Sequence, residues 1–264
     1  MIHKTLAICM LCVALLGCGG REAAKPTQTP ERAPVVLAAK ATEAAETPAP
    51  SPTPASLAPT QAQPVTAPDH TVDAIVAIGA AVREENAAIV GSELGKAPLN
   101  VSAGGSIQLL GGTVAAADAG VPCLSTAGDA AVSLTGVTMT GTFARLAEID
   151  GGNCALTAAR QTLAGDVLLR NGAAFRLNLT EASVFTGAFA AEGEAVAHIS
   201  MSADSVWSVT AETTVGILVN ADAKMTNIRS NGFTVYYNAE LAENAYLKGG
   251  GFLLDGGGFL TPLI

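Results

Sequence analysis

From Ile107 onward, hydrophobic residues recur in pairs two positions apart, and the pairs return at a nearly constant interval. Ile107/Leu109, Val132/Leu134, Leu156/Ala158, Leu177/Leu179 and Ile199/Met201 step by 25, 24, 21 and 22 residues. A second pattern keeps similar time: Thr138-Met139-Thr140-Gly141, Thr162-Leu163-Ala164-Gly165 and Val184-Phe185-Thr186-Gly187. Alternation of apolar and polar positions marks a strand with one buried face, and Gly, Asn and Asp between such runs supply turns. Short strands repeating at this interval predict a solenoid in which each coil buries its apolar face on its neighbours.

The pattern sets out the coils as 106–114, 121–140, 146–165, 167–187 and 196–209, followed by shorter strands at 215–219, 225–228 and 233–237. Equivalent side chains stack from coil to coil, so Val184 is expected under Val206 and Phe185 under Trp207. Asn171, Asn178, Asn220, Asn227, Asn231 and Asn238 suit turn corners, because Asn tolerates left-handed backbone. Parallel coils stack about 4.8 Å apart, so seven or eight would make a rod roughly 35–40 Å long. An open sheet edge must be blunted. Residues 70–91 read either as a short apolar helix over the first coil or as its first strand; Gly79 and the β-branched residues favour strand. Residues 245–264, with two Gly-rich turns, are expected to fold over the last coil.

Ahead of this region the chain changes character. Lys4 and the apolar run 5–16 form an export signal too short to span a bilayer as a mature helix. Leu15-Leu16-Gly17-Cys18 resembles the lipobox of bacterial lipoproteins, in which the cysteine is acylated and becomes the first residue. The resemblance makes Cys18 the expected lipidation site, and acyl chains attach a protein to a membrane at roughly 0.8 kcal/mol per buried CH₂. Gly19 rather than Asp follows it, which by known sorting behaviour permits transfer to the outer membrane where there is one. Ten of the thirteen prolines lie between Pro26 and Pro68. An Ala/Pro/Thr-rich segment cannot bury a core, and its prolines favour extended polyproline II. At roughly 3.1 Å per residue it reaches on the order of 150 Å, as a stalk would. The expected organisation is therefore a signal peptide over 1–17, anchor and disordered stalk over 18–68, and a folded domain over 69–264.

Charge narrows the partners. From Asp69 onward 19 acidic residues face 9 basic ones, a net charge of −10. An acidic domain without a basic stripe repels phosphate backbones, so nucleic acid is excluded as a partner. Of the five cysteines, Cys9 and Cys12 fall in the signal, and Cys123 and Cys154 are 31 residues apart, off the repeat interval. Different places in neighbouring coils disfavour a disulfide, and buried free thiols acting as small apolar fillers are expected. No Cys/His spacing suggests zinc or any other cofactor.

Taken together, the repeat, then Ser205-Val-Trp-Ser-Val-Thr, Asn227-Ile-Arg-Ser-Asn-Gly-Phe-Thr-Val-Tyr-Tyr-Asn and Gly256-Gly-Gly-Phe-Leu-Thr-Pro, resemble right-handed parallel β-helices of the pectin-lyase-like class. The likeness is to uncharacterised adhesin-like surface proteins of bacteria, and it covers about 190 residues, from 69 onward. It implies an all-β, single-stranded right-handed parallel β-helix on the cell surface, and no chemistry.

Enzymatic β-helices act on polysaccharides, which sets the terms for catalysis. Hydrolysis needs two carboxylates about 5–10 Å apart, and lyase chemistry a base, usually with calcium-binding acids. Glu148, Asp150 and Asp166 near Arg160, Arg170 and Arg176 are the local candidates, placed on adjacent coils where they could converge on one outer face. The alternative is a solvated ladder of opposite charges. His198 stands alone on a strand and reads as a surface residue. Asn178-Leu179-Thr180 is a glycosylation acceptor only in a eukaryote, against which the lipobox argues. Among the aromatic residues, a sugar-stacking platform competes with core filling. Alternation assigns Trp207, Phe233, Tyr237 and Phe259 to the core and end cap, and leaves Tyr236 outside.

The expected function is a lipid-anchored surface protein with an adhesive or structural role and no catalysis. A polysaccharide-binding or polysaccharide-degrading protein is the alternative. Expected partners are the membrane, through the lipid, and an envelope glycan, extracellular glycan or surface protein. Tyr236, Arg160, Arg170 and Arg176 are the candidate contacts.

Overall fold

The computed structural model describes residues 67–263. The expected signal peptide, the Cys18 lipidation site and nearly all of the stalk lie outside them. From His70 the chain winds as a parallel β-solenoid of about eight turns, with three short strands in each of the first seven. The strands are short because glycine and left-handed residues bend the chain between them. Asn171 and Gly172, at φ +53° and +70°, make one such corner.

One face is a six-stranded sheet: Ile75–Ile78, Leu99–Ser102, Pro122–Ala127, Arg145–Asp150, Val167–Arg170 and Phe189–Ala191. A four-stranded sheet continues it through Thr213–Val215, Val235–Tyr237, Phe259–Pro262 and Phe252–Leu253, the last pair antiparallel. The second face is a single seven-stranded sheet running from Ala81–Glu85 to Leu218–Asn220. The third consists of two four-stranded sheets, His70–Val72 to Thr138–Thr140 and Thr162–Ala164 to Ile228–Arg229.

The hydrophobic pairs of the sequence are the inward columns of the second face. Ile107, Val132, Leu156, Leu177, Ile199 and Leu218 pair in succession, as do Leu109, Leu134, Ala158, Leu179 and Met201. All of these are buried in one continuous core. On the third face Val184 pairs with Val206 and Phe185 with Trp207, as the repeat predicts. Only Phe185 and Trp207 point inward, however; Val184 and Val206 alternate to the outer surface and are half-buried. The aromatic residues of three successive turns meet inside. Phe189 lies 5.5 Å from both Phe185 and Trp207, centroid to centroid.

The two ends are finished differently. Residues 70–91 form strands, not a covering helix. There one of the two columns ends in a polar group: Val82 precedes Ile107, but Glu84 takes the place of Leu109, and its Oε2 meets His70 Nε2 at 2.9 Å. An inward-pointing charge at an open edge discourages further strand pairing. At the other end Phe259–Pro262 adds one more parallel strand, and a 3₁₀ helix, Ala242–Leu247, closes the core with Leu247. Of the asparagines expected at corners, Asn171 and Asn231 adopt left-handed backbone. Asn220 and Asn227 are instead buried and exchange side-chain hydrogen bonds, Asn220 Nδ2 donating to Asn227 Oδ1 at 2.6 Å. Such a pair satisfies the amides where the apolar columns run out.

Candidate functional site

The charged residues singled out by sequence meet only in part: Glu148, Asp150 and Arg170 share one surface, and Arg160 and Arg176 lie elsewhere. Arg160 sits in a left-handed corner after Asn153–Ala159 and pairs with Glu181, the corresponding corner residue one turn later. Arg170 ends its strand and lies 3.4 Å from Glu192 on the next turn. Glu148 accepts from Arg145, and Asp150 accepts from Asn171. Asp166 accepts from the Ala188 N–H at 2.9 Å and from the Thr210 hydroxyl at 2.8 Å. Arg176 is on the outer side of the second face, between Ala155 and His198. A depression on the first face brings Glu148, Asp150 and Arg170 to one surface with Ser125 and Leu168. Each of those three side chains already has a partner elsewhere. Arg160–Glu181 and Arg170–Glu192 are cross-turn pairs and Arg145–Glu148 a pair within one strand, and exposed pairs of this kind contribute only about 0–1 kcal/mol each.

The buried thiols are inert. Burial pushes Cys123 and Cys154 up to about 12, so neither is a nucleophile near neutrality. They are free and stand apart as fillers of the core. Among the described residues no group of three or more His, Cys, Asp and Glu could hold a metal ion. Among the same residues no helix is long and apolar enough to cross a membrane.

The aromatic residues divide differently from expectation. Trp207 and Tyr237 are fully buried, as predicted, but Phe259 is 52 % exposed and Phe233 38 %. The physical reason is position. Phe259 alternates with the buried Leu260 and so faces outward, and Phe233 sits in the turn after Ser230, ahead of the strand Val235–Tyr237. On the continued first face Phe259 is directly opposite Leu253, which is 70 % exposed. Tyr236 pairs with Thr261, two residues along from Phe259, and so shares that outer surface. The Tyr236 hydroxyl donates to Glu212 Oε1 at 2.6 Å, and this bond to a carboxylate holds the phenol proton more tightly than usual. Leu253, Phe259 and Tyr236 thus form an apolar and aromatic patch with one fixed polar tip. The Glu212 partner and Leu253 escape a sequence reading, because neither lies in the repeat. Only the antiparallel return of Phe252–Leu253 brings Leu253 beside Phe259.

His198 is also more than a surface residue. Its ring is half-buried, and its Nδ1 accepts a hydrogen bond from the Ile217 N–H at 2.9 Å. No family model matches the sequence, and no curated protein or solved structure matches the chain.

Proposed function

We propose that this chain is a lipid-anchored bacterial surface protein whose solenoid works as a rigid, non-catalytic adhesive or structural element. One observation carries most of the weight. Among the described residues the candidate acids and their neighbouring arginines are taken up in separate contacts, Arg145–Glu148 within one strand, Arg160–Glu181 and Arg170–Glu192 between turns, and Asp150 and Asp166 with Asn171 and Thr210. The adhesin-like and pectin-lyase-like resemblance and the lipobox at Cys18 support the same reading from the sequence. An acid-rich domain on a proline-rich stalk would stand clear of an anionic membrane surface.

A second reading, that the protein binds a glycan, is favoured by the exposed Leu253–Phe259–Tyr236 patch in the last turns, the part of the domain farthest along the chain from Cys18. Aromatic faces stack on the apolar faces of sugar rings, and Glu212 leaves lone pairs for a hydroxyl. With a net −10 from Asp69 onward, a neutral glycan fits and a uronic-acid polymer does not.

Both readings are tested on cells making the full chain. Mass spectrometry is expected to find acylated Cys18 at the mature N-terminus, with the domain open to surface labelling; an unmodified chain retaining residues 1–17 overturns the anchored reading. Neutral-glycan binding that is lost in Tyr236→Ala distinguishes the second reading from purely structural use.

A further inference from the structure

The seven-stranded face ends irregularly. Its regular pairing places Ile199 against Leu218, with the Ile199 N–H donating to the Ile217 carbonyl at 2.9 Å. Just before that, Gly216 rather than Ile217 donates to the Ala197 carbonyl, at 2.7 Å. One residue is therefore extra on the outer strand, and the N–H of Ile217 has lost its place in the ladder. His198 catches it through Nδ1. The ring reaches this position only because residue 216 is glycine: a Cβ there would lie 2.8 Å from His198 Cε1 and 3.0 Å from Nδ1.

The same three residues carry the end of the domain. Asn244, in the 3₁₀ helix, donates to the Gly216 carbonyl at 2.6 Å and accepts from the Leu218 N–H at 2.9 Å. Tyr246, also in that helix, donates to the Leu218 carbonyl at 2.9 Å. Segment 216–218 is thus fastened on one side by His198 and on the other by the closing helix. Removing the histidine's acceptor would leave a partly buried N–H without its partner at the point where the helix is held.

We propose that His198 is a protonation-controlled latch: as the neutral imidazole it holds the Ile217 N–H, and on taking up a proton at Nδ1 it releases segment 216–218 and loosens the closing helix Ala242–Leu247.

The charges around the ring set the direction. Arg176 faces it from the preceding turn of the same face, and Glu243 faces it from the helix. Burial first, and then Arg176, pull His198 below its ordinary value, against the opposing pull of Glu243. A folded-state value below the unfolded one, about 6.5, means the stabilisation is complete above that pH and is lost as the pH falls beneath it. Asp222, held down chiefly by the Thr226 hydroxyl, and Asp129, held down by the Asn153 N–H, titrate below the ordinary aspartate range.

Amide hydrogen exchange on the full chain, corrected for the intrinsic pH dependence of exchange, tests the latch. Between pH 7.5 and 5.0, protection at Ile217, Leu218 and the helix is expected to fall about tenfold for each unit by which folding lowers His198. Amides of the central turns are expected to keep theirs. His198→Asn puts an amide oxygen near the place of Nδ1 and takes up no proton, so its protection at 217–218 should be independent of pH. His198→Ala should be poorly protected at both values. Protection in the native chain that does not change with pH, or an equal loss in His198→Asn, overturns the proposal.

Discussion

A single buried indole shows how the interior is held. Trp207 has no measurable exposure; it stacks on Phe185 one turn away, and its Nε1–H donates to the Gly187 carbonyl at 2.9 Å. Trp207→Ala removes the ring from a core that cannot collapse around it and leaves that carbonyl unpaired. The expected cost is about 3–5 kcal/mol, read as a lower denaturation midpoint. Val206, the next residue, faces out, so Val206→Ala should cost less than about 1 kcal/mol. Equal small losses from both would mean that the alternation on this face is wrong. Residue-scale chemistry was only partly legible in the sequence. Arg160, Arg170 and Arg176 were visible as candidates, but whether they meet depends on which corner or face each occupies. Register across turns decides that, and composition does not. His198 was visible as a residue and invisible as an acceptor, because the N–H it holds belongs to a bulge with no mark beyond Gly216.

At the level of strands and corners, the sequence was most informative where the period is most regular. The paired apolar residues set the columns of the long face at the correct register, because a slip of one residue would turn every one of them outward. The ends were harder to read. Phe233 shares the parity of Val235 and Tyr237 but falls in the turn before that strand, and Phe259 alternates with the buried Leu260, so both are exposed. Corners separate conformational need from packing need. Gly112 has φ +79°, and a Cβ on it would lie 2.1 Å from the Ala87 carbonyl oxygen of the preceding turn. Gly128 has the same φ and open space around it. Gly128→Ala should therefore show only the backbone penalty, about 1 kcal/mol. Gly112→Ala must also push two turns apart, and should cost at least about 2 kcal/mol more in chemical denaturation. Equal costs would show that the turns are not in van der Waals contact at this corner.

For the domain as a whole, what matters is that every property rests on contact between successive turns. Residues far apart in sequence are neighbours only through the intervening coils, so the described domain is close to one-dimensional in its energetics. Its acid-rich outside, its ladder of paired charges and its exposed patch in the last turns are surface features laid on that stack. The proposed adhesive use needs the stack to be stiff and continuous.

The distance between Gln108 and Val219 measures that continuity. Both point outward in one column that runs through Ser133, Thr157, Asn178 and Ser200, so they are five turns apart. Spin labels at the two positions, in the full chain with Cys9, Cys12 and Cys18 replaced by Ser and with Cys123 and Cys154 buried from the labelling reagent, report it by dipolar spectroscopy. At about 4.8 Å per turn, a single narrow distribution centred near 24 Å, widened only by the label arms, is the expected result. A broad distribution, or a mean beyond about 40 Å, would contradict a continuous stack of coils.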